Sequence, residues 1–320
     1  MKETNFIRQN IAKWKSLETV IDTAAHQDPG RLADAYTEVT TDLSFSRSHY
    51  PFSRITIYLN NLASALHNTL YKNRRESQSR ILRFWTSEIP RVMYASRREL
   101  LYSFLLFAVS AAIGCLSQAN DESFARLIMG NGYVDMTLQN IEDGNPMGVY
   151  GRGSSVEMFF LITINNIRVS FLAFATGLLS GFGTGMVMLY NGIMIGTFET
   201  FCFQQHIGLE SLLAVWLHGT LEISAIIVAG AGGFALGNGW LFPGTYSRGH
   251  AFAAGAKRGL KIVIGTVPIL IVAGFIESFL TRHTDAPNGL RGGFILLSLA
   301  FVIFYYIVLP FRLRHGISES

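Results

Sequence analysis

Leu209 to Leu236 is an apolar run longer than the roughly 20 residues a helix needs to cross a bilayer. Hydrocarbon offers backbone groups no water, so such a run must be helical. Yet it carries His218 and Glu222 within His218-Gly219-Thr220-Leu221-Glu222. That four-residue spacing stacks both on one helix face, which continues through Ala225, Ala229 and Gly233. A face polar at one end and small along the rest fits another helix, not lipid tails. An unpaired charge at mid-membrane is costly, so Glu222 is expected to be neutral, paired or facing water.

Five more apolar runs follow the same logic. The six spans fall near residues 100–118, 157–178, 185–204, 210–236, 261–280 and 292–310. Only 15% of the 320 residues are charged, against about a quarter in soluble domains, and they are unevenly placed. Residues 1–99 hold 15 of the 26 Lys and Arg and 10 of the 22 Asp and Glu. The expected fold class is therefore all-α: a helical cytoplasmic domain (1–75), a basic amphipathic interfacial segment (76–99) and a transmembrane bundle (100–312) with an extracytoplasmic loop near 119–155.

The first 75 residues show helical periodicity. Trp14, Leu17, Val20, Ile21 and Ala24 recur on one face until Asp28-Pro29-Gly30 breaks the run. A second helix starts near Arg31 and carries Leu32, Ala35, Tyr36 and Val39. Ser48 is the expected N-cap of a third, which runs after Pro51 to about Tyr71. From Arg74 to Glu99, Ile81, Leu82, Phe84 and Trp85 alternate with arginines, predicting a helix in the membrane interface with Pro90 as the elbow into the first span.

Loop charge sets the expected orientation. Lys72 to Arg98 contains eight basic residues against Glu76 and Glu88, the pattern of a cytoplasmic membrane surface rather than a nucleic-acid site. The 118–155 connection holds five acidic residues and only Arg126 and Arg152, whereas the 238–261 connection holds Arg248, Lys257, Arg258 and Lys261. Both termini are thus predicted in the cytoplasm of a multi-pass inner-membrane protein. No secretory signal peptide is expected, because the first apolar run of sufficient length starts near residue 100. Cys115 and Cys202 lie in apolar runs without paired spacing, so neither a disulfide nor a cysteine-based zinc site is expected.

The spans enclose a candidate polar cluster: Asn165, Asn166 and Arg168 in span two, Asn191 and Glu199 in span three, His218 and Glu222 in span four, and Glu277, followed by Arg282, at the end of span five. Beside it lies a set of small residues suited to close helix packing: Gly177, Gly181, Gly192, Gly196, Gly219, Ala225, Ala229 and Gly233. One reading is a self-satisfying bundle in which Arg168 pairs with Glu222, or with Glu199, and fixes helix register. Another is a polar path for an ion or solute. Catalysis has little support. A zinc protease offers H-E-x-x-H, whereas His218 and Glu222 give one histidine and one carboxylate, and there is no P-loop. Gly181 to Gly185 reads as turn chemistry, not a phosphate cradle. No catalytic residue, metal or cofactor is expected.

The membrane half resembles the stage II sporulation protein M family. The resemblance rests on Asn165-Asn166, Gly177-Leu178-Leu179-Ser180-Gly181-Phe182-Gly183-Thr184, Asn191-Gly192 with Gly196, His218 through Ile226, Pro243-Gly244 and Ile276-Glu277-Ser278-Phe279, all in order across roughly residues 160–280. The N-terminal part resembles the longer, non-sporulation members at Trp14-Lys15-Ser16-Leu17-Glu18, Asp42-Leu43, Tyr50-Pro51 and Tyr58-Leu59-Asn60. The resemblance implies a membrane component that recruits envelope partners. In spore formers those partners are peptidoglycan-remodelling proteins, whereas the longer members look like components of envelope gene clusters that include a MoxR-type AAA ATPase and other membrane proteins. The N-terminal domain departs from the sporulation form, so the scaffold role carries over and the pathway does not.

Two functions from different classes follow. The first is a non-enzymatic integral membrane scaffold whose helical N-domain engages a cytoplasmic protein, whose outer loop engages an envelope protein, and which contacts membrane lipids but no nucleic acid. The second is a permease or channel lined by Arg168, Glu199, His218 and Glu222.

Overall fold

A computed structural model of the protein describes residues 2–22, 29–71, 79–146, 148, 154–281 and 287–313. Among them every regular element is a helix, and the chain divides into two units, Met1–Arg80 and Ile81–Ser320.

The first unit consists of α1 (Glu3–Asp22), α2 (Pro29–His49) and α3 (Arg54–Tyr71). Its apolar positions close into one core, with Trp14, Val39, Leu59 and Leu66 fully buried. The Trp14 indole N–H donates to Asp42 at 2.8 Å, and Lys13 pairs with the same carboxylate at 2.5 Å. A buried tryptophan is thus satisfied across two helices. Tyr58 donates to Glu18, and burial first, then this bond, push its phenol up to about 12. Pro29 opens α2, where its missing N–H costs nothing. The expected cap at Ser48 is displaced: Ser48 lies inside α2 and bonds Ser44, while Ser53 accepts the N–H of Ile55 at the start of α3. The serine nearer the first free amides of α3 takes the capping role. Ala24 lies outside the described residues.

In the second unit, α4 (Ser79–Arg83) leads through a π-helical turn, Phe84–Glu88, into α5 (Ile89–Ala95). The chain then breaks at Ser96, not at Pro90, which occupies the first turn of α5. Next come α6 (Arg97–Asn120), the short α7 (Phe124–Met129) and α8 (Asn131–Glu142) in the acidic connection, then α9 (Ser155–Ala175), α10 (Phe182–Gln204) and α11 (Gly208–Leu241). The chain continues as α12 (Arg248–Phe275), prolonged by a second π-helical turn over Ile276–Leu280, and α13 (Asn288–Ile303), prolonged through a third into α14 (Leu309–Arg312). Six of these helices are long and apolar enough to cross a membrane, in the order expected.

Helix α11 is the hub, touching α6, α9, α10, α12 and α13. Its 34 residues include an almost continuously buried stretch from Ala225 to Gly237. Absent side chains allow this. A Cβ on Gly233 would run into the Ala173 carbonyl and the Thr184 side chain, and one on Gly232 would crowd the Gly259 carbonyl. Gly177 meets Gly233 backbone to backbone, and Gly192 and Gly196 admit α6 at Phe107–Ala111. Ala225 and Ala229 are fully buried. Gly219 differs: a Cβ there would meet only Val215 and Ile223 of its own helix, at 3.7 and 3.9 Å. Gly181 sits at φ +79 in the α9–α10 turn, a conformation that favours glycine.

The expected connection at 238–261 is mostly helix. Ser247 caps α12, whose first half carries Arg248, Lys257, Arg258 and Lys261. These charges do not end the helix because two of them find partners: Lys261 pairs with Glu88 at 2.6 Å and Arg258 with the buried Glu99 at 3.4 Å. Asn238 also donates to Glu99. At the opposite end Gln118 and Gln204 exchange hydrogen bonds at 2.8 and 3.1 Å, joining α6 to α10.

Candidate functional site

His218 lies in the third turn of α11, 3% exposed, with Glu222 one turn further on. Glu277 approaches from the end of α12, inside the π-helical turn. The imidazole Nε2 stands 3.8 Å from Glu277 Oε2, and His218, Glu222 and Glu277 each offer one donor atom within 4.8 Å of the other two. The i, i+4 spacing supplies two of these groups from one helix face, and the π turn, one residue wider than an α turn, carries the third.

Two of the three groups are held from behind. The Asn166 side-chain amide on α9 donates to Glu222 Oε1 at 2.5 Å. His218 Nδ1 lies 3.2 Å from Thr281 Oγ1. The Thr281 hydroxyl in turn donates to the Ile276 carbonyl at 3.3 Å. With its proton turned that way, the Thr281 oxygen can accept from a ring N–H at Nδ1. Nε2, on the other side of the ring, stands toward the carboxylates. Thr281 and Leu217 also line a cavity of about 150 Å³ with Arg291 and Phe294. A second cavity, of about 240 Å³, shares Leu213, Ala214 and Arg291 with it and reaches Asn145 and Glu210. Thr281, which supports His218, is the residue that the cluster's surroundings share with the first of these cavities.

The other expected members lie elsewhere. Arg168 pairs with neither Glu222 nor Glu199: it is exposed on the outer side of α9, and no ion pair among the described residues includes it. Two residues turn an α-helix through about 200°, so Asn166 and Arg168 cannot face the same neighbour. Asn165 is likewise exposed, and Asn191 bonds the Val187 carbonyl of its own helix. Glu199 forms a separate site, accepting from the Trp216 indole at 2.8 Å and from Ser211 at 3.3 Å. Arg282 lies outside the described residues.

Sequence reasoning missed Thr281, which stands beyond the last apolar turn with nothing to mark it. It also missed the Glu99–Asn238–Arg258 set, which a carboxylate at the edge of span one could have signalled. In the acidic connection, hydrogen bonds from Ser123 hold the exposed Asp121 carboxyl below its usual range, and burial pushes the Tyr133 phenol up to about 12.

Two family models match the chain. Residues 103–282 match the one described as Stage II sporulation protein M, and residues 4–72 match Domain of unknown function (DUF8413). No curated protein and no solved structure matches.

Proposed function

The chain belongs to the stage II sporulation protein M family, and from that premise we propose that it works as a membrane-embedded assembly component of a cell-envelope complex rather than as an enzyme. The observation that carries this reading is the first unit, a separately cored three-helix body attached to a polytopic bundle. A permease has no need of such an appendage, whereas a recruiting protein needs a soluble face. That unit presents a groove between α2 and α3 lined by Tyr36, Thr40, Arg47, Ser64, His67 and Asn68. Mixed polar and aromatic linings of this kind suit a protein partner. The packing of α11 also favours assembly over transport, since its neighbours approach to backbone contact at Gly232 and Gly233.

In this reading, supported by the loop charges, the first unit faces the cytoplasm and the acidic connection lies outside the inner membrane. The partners in this reading are a cytoplasmic MoxR-type AAA ATPase and a peptidoglycan-remodelling protein outside. The test is affinity capture from membranes in mild detergent, comparing the full chain with a version lacking residues 1–70. The full chain should retain a specific ATPase that the truncated, still inserted chain loses. Capture unchanged by the truncation, or ion or solute flux in proteoliposomes without a retained partner, overturns the reading.

A further inference from the structure

We propose that His218, Glu222 and Glu277 bind one divalent first-row transition-metal ion inside the bundle. The donor set is one imidazole nitrogen and two carboxylates, a mixture that suits zinc, with manganese and iron as competitors. Donor atoms no more than 4.8 Å apart leave a point within about 2.8 Å of all three, so shifts of roughly 0.7 Å bring each to zinc-ligand distance. Rotamer adjustments of the two glutamates cover that.

Three features separate this cluster from a chance meeting of acids. The first is the placement of the ring. His218 sets Nδ1 against Thr281 and Nε2 3.8 Å from Glu277, with Glu222 within reach of both, so that one dication between them would meet a nitrogen and two carboxylates at once. The second is the outer support. A ligating histidine usually gives its other ring N–H to an acceptor, and ligating carboxylates are themselves hydrogen-bonded; Thr281 and Asn166 fill those places. The third is the π-helical turn, a rare geometry often found at functional sites, which carries Glu277. Three protein ligands leave a fourth position for water.

The site goes beyond the assembly role and is independent of it, because capture tests the first unit and metal binding tests the second. The experiment uses the full chain, purified in detergent without a polyhistidine tag. Metal content is measured by mass spectrometry, and thermal stability is followed through chelation and readdition of zinc, then manganese. The expected result is about one metal ion per chain and a melting temperature that falls on chelation and recovers on readdition. Glu277→Gln and His218→Ala should lose the metal and the chelator response. Asn166→Ala and Thr281→Val should keep binding, weakened roughly 10–100-fold. If His218→Ala fails to fold, Glu277→Gln and the chelation cycle of the unaltered chain decide alone. A wild-type chain with no more metal than Glu277→Gln and no response to chelator or metals overturns the proposal and leaves a proton shared between the carboxylates.

Discussion

The amide of Asn166 and the carboxylate of Glu222 meet at 2.5 Å, while Arg168, two residues beyond Asn166, faces away from both. The neutral donor, not the cation, orients the half-buried acid. Replacing Asn166 by Ala should therefore cost about 1–3 kcal/mol in detergent thermal stability, the price of stranding a partly buried acceptor. Asn166→Ala and Glu222→Gln should be non-additive. Arg168→Leu should add to Glu222→Gln within about 0.5 kcal/mol, as independent sites do. Strong coupling between Arg168 and Glu222 would contradict the geometry.

The glycines predict a sharp contrast. At Gly196 a Cβ would strike the Ala111 carbonyl, and at Gly233 the Ala173 carbonyl, both rigid backbone. Alanine at either position should destabilise the bundle by roughly 1–3 kcal/mol through overpacking. Gly219→Ala meets only ordinary contacts and removes a flexible residue from a helix interior. It should be neutral or stabilise by up to about 1 kcal/mol. Melting curves of the three variants in one detergent check both halves of the prediction.

The proposed orientation places Asn145 outside and Thr245, in the short turn before α12, inside; both are exposed. Single cysteines at the two positions should label differently with an impermeant maleimide. The Asn145→Cys probe should react in intact cells, and the Thr245→Cys probe only after permeabilisation. Cys202 is buried, and Cys115 lies against the Gly196 carbonyl, so native background should be low. The reverse pattern would invert the proposed topology.

The spans were legible because hydropathy is a local property, and the pairing of His218 with Glu222 because helical spacing is. The start of α12 was not, since Lys257, Arg258 and Lys261 look like a loop until Glu88 and Glu99, distant in sequence, meet two of them. Arg168 could have been placed better from the sequence alone. Asn166, Ser170 and Ala173 mark one stripe of α9, and position 168 is about 200° from Asn166 on that helix. Chemical type drew attention to the arginine, but azimuth decides contact. The convergence of Glu277 and Thr281 on His218 was beyond reach, because no side-chain pattern announces a π turn.

That turn makes the arrangement sensitive to a change that no hydropathy profile would register. Closing Ile276–Leu280 to ordinary α register is a matter of deleting one residue, and everything beyond would swing by about 100°. Thr281 would leave His218, yet span length and apolar character would hardly alter. For this helix, an insertion or deletion of one residue is a larger event than most substitutions.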